Sequence, residues 1–192
     1  TTNQGIRAEG DLLFAAGGHS ERLRITSAGL LLGGSDSSNN TTLGGNAGDS
    51  IASGGISNTL IGKNAGTAIS TGDSNTALGY HALKTISTNG NCVAVGSNAL
   101  EVCTGGDNVA MGAAAGQQLA GGTNNCLFGS SAGLSIQAGV HNIAIGRDSL
   151  RLGSSNNTNY NVVLGSLSLN QLTAPYNNVV IGYNCSGSAT MT

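Results

Sequence analysis

"SNTALGYHALKTISTNGNCVAVGSNAL", residues 74–100, says nearly the same thing twice. Asn75-Thr76-Ala77-Leu78-Gly79, followed after two residues by Ala82-Leu83, returns as Cys92-Val93-Ala94-Val95-Gly96 and then Ala99-Leu100. With the glycine as anchor, the alignment extends to Gly44, Gly62, Gly79, Gly96, Gly112, Gly129, Gly146, Gly165 and Gly182, spaced 16 to 19 residues apart. Nine units of about 17 residues therefore cover most of residues 40–190.

The residue before each anchor is apolar in all nine units: Leu43, Ile61, Leu78, Val95, Met111, Phe128, Ile145, Leu164 and Ile181. Two residues earlier stand mostly β-branched side chains, from Thr41, Thr59 and Thr76 to Val162 and Val179. This alternation with period two marks a short strand. The residue between them is largely apolar as well (Leu60, Ala77, Ala94, Ala110, Leu127, Ala144, Val163), so both faces of the strand call for burial. One face suits the inside of a coil, and the other needs a cover.

Four residues before the anchor stand Asn40, Asn58, Asn75, Cys92, Asn108, Asn125, Asn142, Asn161 and Asn178. An amide both donates and accepts, so identical amides stacked along an axis form a ladder. Three residues after the anchor the side chain is always small (Ala47, Ala65, Ala82, Ala99, Ala115, Ala132, Ser149, Ser168, Cys185), which reads as a tight corner with one small group pointing inward. The next position varies irregularly between Gly or Ser and Leu. Variability concentrates in the second half of each unit, as in "TAISTGDS", "QQLAGGTN" and "LRLGSSNNTNY".

A unit this short cannot bury its own apolar face, but stacked units build one continuous core. The expected fold is all-β: a parallel β-solenoid or β-roll of nine rungs over residues 40–192, each with two short strands and two turns. At strand spacing of about 4.8 Å the rod is about 40 Å long. Self-association as a homotrimer is the simplest cover for the outer apolar flank.

Residues 1–39 read differently. Asp11 to Ala15, the alternating Glu21 to Thr26 and Leu30 to Leu32 are strand-like, with a turn at Ser27-Ala28-Gly29, which makes a small β-rich collar of hairpins. The charge cluster Glu21, Arg22 and Arg24 suits surface or inter-chain ion pairs.

Composition narrows the function. Only 8% of the 192 residues are charged, against about 25% in ordinary domains, and 39% are hydrophobic, which favours an ordered chain over a disordered one. The net charge is −2 and the seven Lys and Arg are scattered, so no basic stripe is present to follow a nucleic acid. No apolar run approaches the roughly 18 to 20 residues of a membrane span, so membrane insertion is not expected. The chain opens at Thr1, which reads as a fragment or processed form.

The units "NTALGYHAL", "NTLIGKNAG", "NVAMGAAAG" and "NIAIGRDSL" resemble the Asn-x-Ala-Ile-Gly-x-x-Ala repeats in the heads of trimeric autotransporter adhesins. That resemblance implies left-handed parallel β-rolls assembled as trimers, here with rungs a few residues longer. Together with "GDLLFAAGGHSERLRITSAGLLLGG", residues 10–34, the repeats more closely resemble bacteriophage tail-fibre and related virion proteins. The implied function is a structural virion appendage, extracellular, giving a rigid trimeric rod for host attachment. Its implied partners are other tail proteins and a host receptor or glycan. The alternative is a bacterial adhesin head that binds host or matrix surfaces.

Residue patterns for chemistry are weak. The four cysteines fall at different repeat positions with no Cys-x-x-Cys spacing, and Cys92 and Cys126 lie two rungs apart, about 9 to 10 Å, beyond disulfide reach. They are expected as small buried apolar residues. His19, His81 and His141 are isolated in sequence, and His81 fills the slot of Asn64 and Asn98. Carboxylates exist for a glycosidase pair, but aromatic platforms are scarce at 3% aromatic residues. Glycine pairs lack the Gly-Lys-Ser/Thr ending of a phosphate loop, and most turns lack the aspartate of calcium-binding β-rolls. A Thr ladder for ice begins at Thr41, Thr59 and Thr76 but ends at Val93. No enzyme activity, metal or cofactor is expected. Specific contacts are expected where copies differ: Lys63, Tyr80, His81, Glu101, Arg147, Asp148 and the long turn from Gly153 to Tyr160.

Overall fold

The structure, a computed structural model, describes residues 39–51, 54–152, 158–170 and 175–185, and the backbone of three strands nearer the start of the chain. Those three are β1 (Leu12–Ala15), β2 (Glu21–Ile25) and β3 (Leu31–Gly33), an antiparallel sheet with β2 in the middle. The turns that would join these strands as hairpins, including the one at Ser27-Ala28-Gly29, lie outside the described residues, as do His19 and the side chains of Glu21, Arg22 and Arg24.

Nine further strands form one parallel sheet in chain order: β4 (Thr41–Leu43), β5 (Thr59–Ile61), β6 (Thr76–Leu78), β7 (Val93–Val95), β8 (Val109–Met111), β9 (Cys126–Phe128), β10 (Ile143–Ile145), β11 (Val162–Leu164) and β12 (Val179–Ile181). Every pairing is in register with the repeat, so that Ala77 pairs with Ala94, Ala94 with Ala110 and Ala110 with Leu127. This is a β-solenoid, as the 17-residue period requires.

Among the described residues each rung contributes one three-residue strand, not the two expected from its length. Backbone conformation supplies the reason. The second residue after the anchor has positive φ in every rung (Asn46, Asn64, His81, Asn98, Ala114, Ser131, Asp148, Leu167, Asn184), and so does the fourth in eight of them, either Gly or Leu. Two left-handed residues within one corner cannot sit in an extended segment. Rung-to-rung bonding continues there through single backbone bonds: the amide of Gly66 donates to Ala82 O at 2.9 Å, Leu83 to Ala99 O at 3.1 Å and Leu100 to Ala115 O at 2.9 Å. Only near the end does a second strand begin to form, as the bridges Val140 to Asn159 and Asn159 to Tyr176.

The anchor glycines stack in a column that admits no side chain. Gly62 has φ of 132°, and a Cβ on it would lie 2.5 Å from the carbonyl oxygen of Gly79. Both the left-handed backbone and the next rung's peptide therefore demand glycine there.

The interior is filled mainly from four repeat positions: the middle strand residue, the small residue three after the anchor, the variable residue that follows it, and the residue seven after the anchor, such as Ile69, Ile86, Leu119 and Ile136. Ala65, Ala82, Ala99, Ala115 and Ala132 are fully buried, as the corner reading requires. The Gly/Leu variation has a volume logic. Rungs with Leu60 or Leu127 in the middle of the strand carry Gly66 or Gly133, and rungs with Ala77, Ala94 or Ala144 carry Leu83, Leu100 or Leu150. A Cβ on Gly66 would meet Leu60 Cδ2 at 2.8 Å, so the leucine occupies the space the glycine leaves. Leu83, Leu100 and Leu150 accept φ near 50° in exchange for burying a side chain worth about 1.5–3 kcal/mol.

The ladder asparagines Asn58, Asn75, Asn108, Asn125, Asn142 and Asn161 are buried within this interior. Each Oδ1 accepts the backbone N–H of the matching residue one rung on, as from Asn75 to Asn58 (2.9 Å) and from Asn142 to Asn125 (3.0 Å). Each Nδ2 donates to a turn carbonyl, including Asn58 to Gly72 O (2.9 Å) and Asn125 to Gly139 O (2.8 Å). From Asn108 to Asn178 the amides also bond to one another at 2.9 to 3.0 Å. Asn40 starts the column, its Oδ1 accepting Asn58 N–H at 2.8 Å. Full pairing removes the cost of burying these amides.

Candidate functional site

Residues that differ between copies collect on one edge of the rod. Lys63, Tyr80 and Arg147 each follow an anchor glycine, and His81 and Asp148 come next, so the corner presents them outward in register. Lys63 is exposed and its carbonyl accepts the His81 amide at 3.1 Å.

A polar cluster joins His81 and Glu101, two residues that sequence distance keeps apart. His81 Nδ1 lies 3.3 Å from Glu101 Oε1, and its Nε2 lies 2.9 Å from Asn64 Nδ2. The amide can only donate there, so Nε2 accepts and Nδ1 carries the proton that Glu101 receives as a hydrogen bond. The Tyr80 ring stacks on the imidazole with centroids 3.7 Å apart. Glu101 also meets Lys84 Nζ at 3.6 Å and accepts from Gln117 Nε2 at 2.8 Å. Lys84, Glu101 and Gln117 each stand five residues after an anchor, so they stack in consecutive rungs. That spacing is present in the sequence and identifies Lys84 and Gln117 as partners of Glu101, beyond the contact residues expected above.

Chemically this cluster is a clasp. Glu101 is held by three donors and His81 by two neighbours, and among the described hydrogen bonds the one hydroxyl at this cluster, Thr85 Oγ1, meets main-chain carbonyls only, that of Glu101 at 3.0 Å. At about 15% exposure for the His81 and Glu101 side chains, the pair is worth on the order of 1 kcal/mol.

Arg147 and Asp148 stand four rungs further along, about 19 Å at strand spacing, and form a separate group. Asp148 lies 3.6 Å from Arg147 Nε and 3.3 Å from Arg151 Nη1. Beside it is a depression of about 360 Å³ lined by Leu134, Ser135, Asp148, Arg151, Leu152, Leu167 and Asn170. Of the long turn singled out by the sequence, residues 153–157 lie outside the described residues, while Tyr160 belongs to an aromatic column. The His141 and Tyr160 rings stack at 5.1 Å, and Tyr160 meets Tyr176 edge-on at 5.5 Å. The irregular 19-residue unit between Gly146 and Gly165 hides this shared column in the sequence.

Among the described residues the outer strand positions are apolar and exposed. Residues on either side of the buried middle strand position face outward, with Leu43 63% exposed, Leu78 46%, Met111 40%, Ile145 44% and Ile181 69%. Cys126 lies in the same outward set, half-buried, and that burial raises its thiol above the ordinary range. Among the described residues no group of three or more His, Cys, Asp or Glu is placed to hold a metal ion.

Comparison of the chain with known protein families, with curated proteins and with solved structures finds no match.

Proposed function

We propose that this chain is a segment of a bacteriophage virion appendage, a tail fibre or spike, that serves as a stiff trimeric rod in host attachment and has no catalytic role. The observation that carries the reading is the outward apolar stripe, which runs from Leu43 to Ile181 along the whole sheet. Contiguous apolar surface of this kind marks an interface. An interface that follows the axis of a uniform coil fits identical coils laid side by side, each covering the next.

Stiffness follows from the same geometry. Every rung is tied to the next by three-residue pairing and corner bonds, and at every step but that from Cys92 to Asn108 by the Asn ladder as well, so bending the rod strains them together. Host contact then falls to the residues that differ between copies, the Tyr80-His81-Glu101 group and the Arg147-Asp148 group. Three copies multiply weak contacts through avidity.

The oligomeric state tests the reading first. Light scattering or native mass measurement is expected to give three chains per particle, and a folded monomer at micromolar concentration would remove the basis for the rod. Labelled antibody, viewed by electron microscopy on phage particles encoding the chain, is expected to decorate a tail appendage. Decoration of bacterial cells instead would favour an adhesin head.

A further inference from the structure

One rung breaks the pattern in three ways at once. It is the only unit with a spacing of 16 residues, from Gly96 to Gly112. It is the only unit whose ladder asparagine is replaced, by Cys92. The position seven after the anchor, which is Ile51, Ile69, Ile86, Leu119 and Ile136 in five other rungs, is Cys103 here. Two unrelated structural positions, an amide and a branched aliphatic, have become cysteine in the same coil.

The fold brings these two side chains together inside that coil. Cys92 and Cys103 are both fully buried. Cys92 Sγ lies 3.5 Å and Cys103 Sγ 3.2 Å from one carbonyl oxygen, that of Gly105. In neighbouring rungs the corresponding carbonyl receives the ladder amide, as Gly72 O does from Asn58. The two sulfurs therefore converge on a single acceptor inside the coil. Contact with Cys92, then burial, holds the Cys103 thiol above the ordinary range, while Cys92, through its contact with Cys103, ionises the more readily. Asn108 Nδ2 completes the group at 3.6 Å from Cys103 Sγ.

The replacement also has a cost that packing does not return. A thiol cannot accept as an amide oxygen does, and the Asn ladder runs from Asn40 to Cys92 N–H and restarts at Asn108. Two isolated small apolar side chains would leave that break uncompensated.

We propose that Cys92 and Cys103 are a covalent modification site: in oxidising surroundings they join as a disulfide that staples this rung across its interior. Both thiols are inaccessible once the coil is wound, so the bond forms as the rung closes. With a low-molecular-weight disulfide such as oxidised glutathione as oxidant, the Cys92 thiolate attacks one glutathione sulfur. This forms a mixed disulfide and releases the other glutathione, which takes up a proton. The Cys103 thiolate then attacks the Cys92 sulfur, closing the intramolecular bond and expelling the second glutathione. Two protein thiols are oxidised and one glutathione disulfide is reduced to two thiols. This inference is independent of the proposed function.

The test refolds the full chain from denaturant in buffers of fixed reduced-to-oxidised glutathione ratio, quenches with N-ethylmaleimide under denaturing conditions and counts adducts by mass. The count is expected to fall from four to two as the buffer becomes oxidising. Digestion after Glu101, which separates the two cysteines, is expected to yield a Cys92–Cys103 cross-linked peptide that reductant splits. A second variant guards against misfolding as the explanation. C92N/C103I restores the residues of neighbouring rungs and is expected to melt at the same temperature with or without reductant, whereas the oxidised native chain melts at a lower temperature once reduced. Four adducts in the most oxidising buffer, a link between any other pair, or equal reductant sensitivity in the double variant would each overturn the proposal.

Discussion

Ala144 and Ile145 are neighbours on one three-residue strand, yet the smaller is fully buried and the larger is 44% exposed. The same inversion holds for Ala77 against Leu78 and Ala110 against Met111. Hydrophobicity does not decide which face lies inside. The inner face must fit within a narrow coil whose corners already bring in Ala82 or Leu83, so residue volume is limited there and the larger apolar groups are left outside. Interior and exterior faces therefore answer to different requirements, one to volume and the other to whatever covers the stripe.

Substitutions can break that contrast. The largest effect is expected from Ala144→Asp, which places a carboxylate in the interior with no partner and abolishes cooperative folding, read as loss of the thermal transition by circular dichroism. Next is Gly112→Ala. Its φ of 137° and a Cβ 2.5 Å from the Gly129 carbonyl group predict a loss of about 3 kcal/mol or more in denaturant unfolding. A stability close to that of the parent chain would mean the glycine column is not closely stacked. Asn125→Ala removes the acceptor for Asn142 N–H and Nδ2, and is expected to cost about 1–3 kcal/mol by the same measurement.

The outer face is expected to respond differently. Ile145→Asp, one residue from the most damaging change, should leave the circular dichroism spectrum intact and alter the stability of a single coil by less than about 1 kcal/mol. Its effect should appear in light scattering, as loss of the assembled state. Preserved assembly would show that the stripe is not the contact. Glu101→Gln is the mildest. It keeps the neighbouring hydrogen-bond geometry and removes a charge from a partly solvated clasp, so a change of no more than about 0.5 kcal/mol is expected in salt-matched unfolding curves.

Much of the solenoid was legible because a stacked coil repeats its constraints. The anchor glycines, the corner alanines and the Asn ladder each recur at one position, and each proves to have one physical role. The second strand expected from the length of the unit does not form, because positive φ at positions such as Asn98 and Leu100 bends the chain away from extension. The Gly/Leu variation looked irregular when read one position at a time. It resolves in cross-section, where Leu60 stands beside Gly66 and Ala77 beside Leu83, residues six apart; the Ala110 rung carries Gly116 instead, its space taken by Leu100 and Leu127 of the adjacent rungs. For the same reason the pairing of Cys92 with Cys103 is not visible along the axis, where each stands in a different repeat position; it exists only across the coil.

By itself the sequence determined the class of fold, the number of rungs, the position of the one strand that each rung keeps and the residues that stack from rung to rung. A fixed period with apolar, small and amide positions in constant register leaves few other ways to bury the apolar groups. The tertiary structure alone decided what meets across a rung and which strand face lies inside. It sets Glu101 between Lys84, His81 and Gln117, Cys92 against Cys103, and Tyr160 between His141 and Tyr176. Periodicity specifies neighbours along the axis, but contacts across the coil depend on where each corner turns, and that is set by left-handed backbone at single residues.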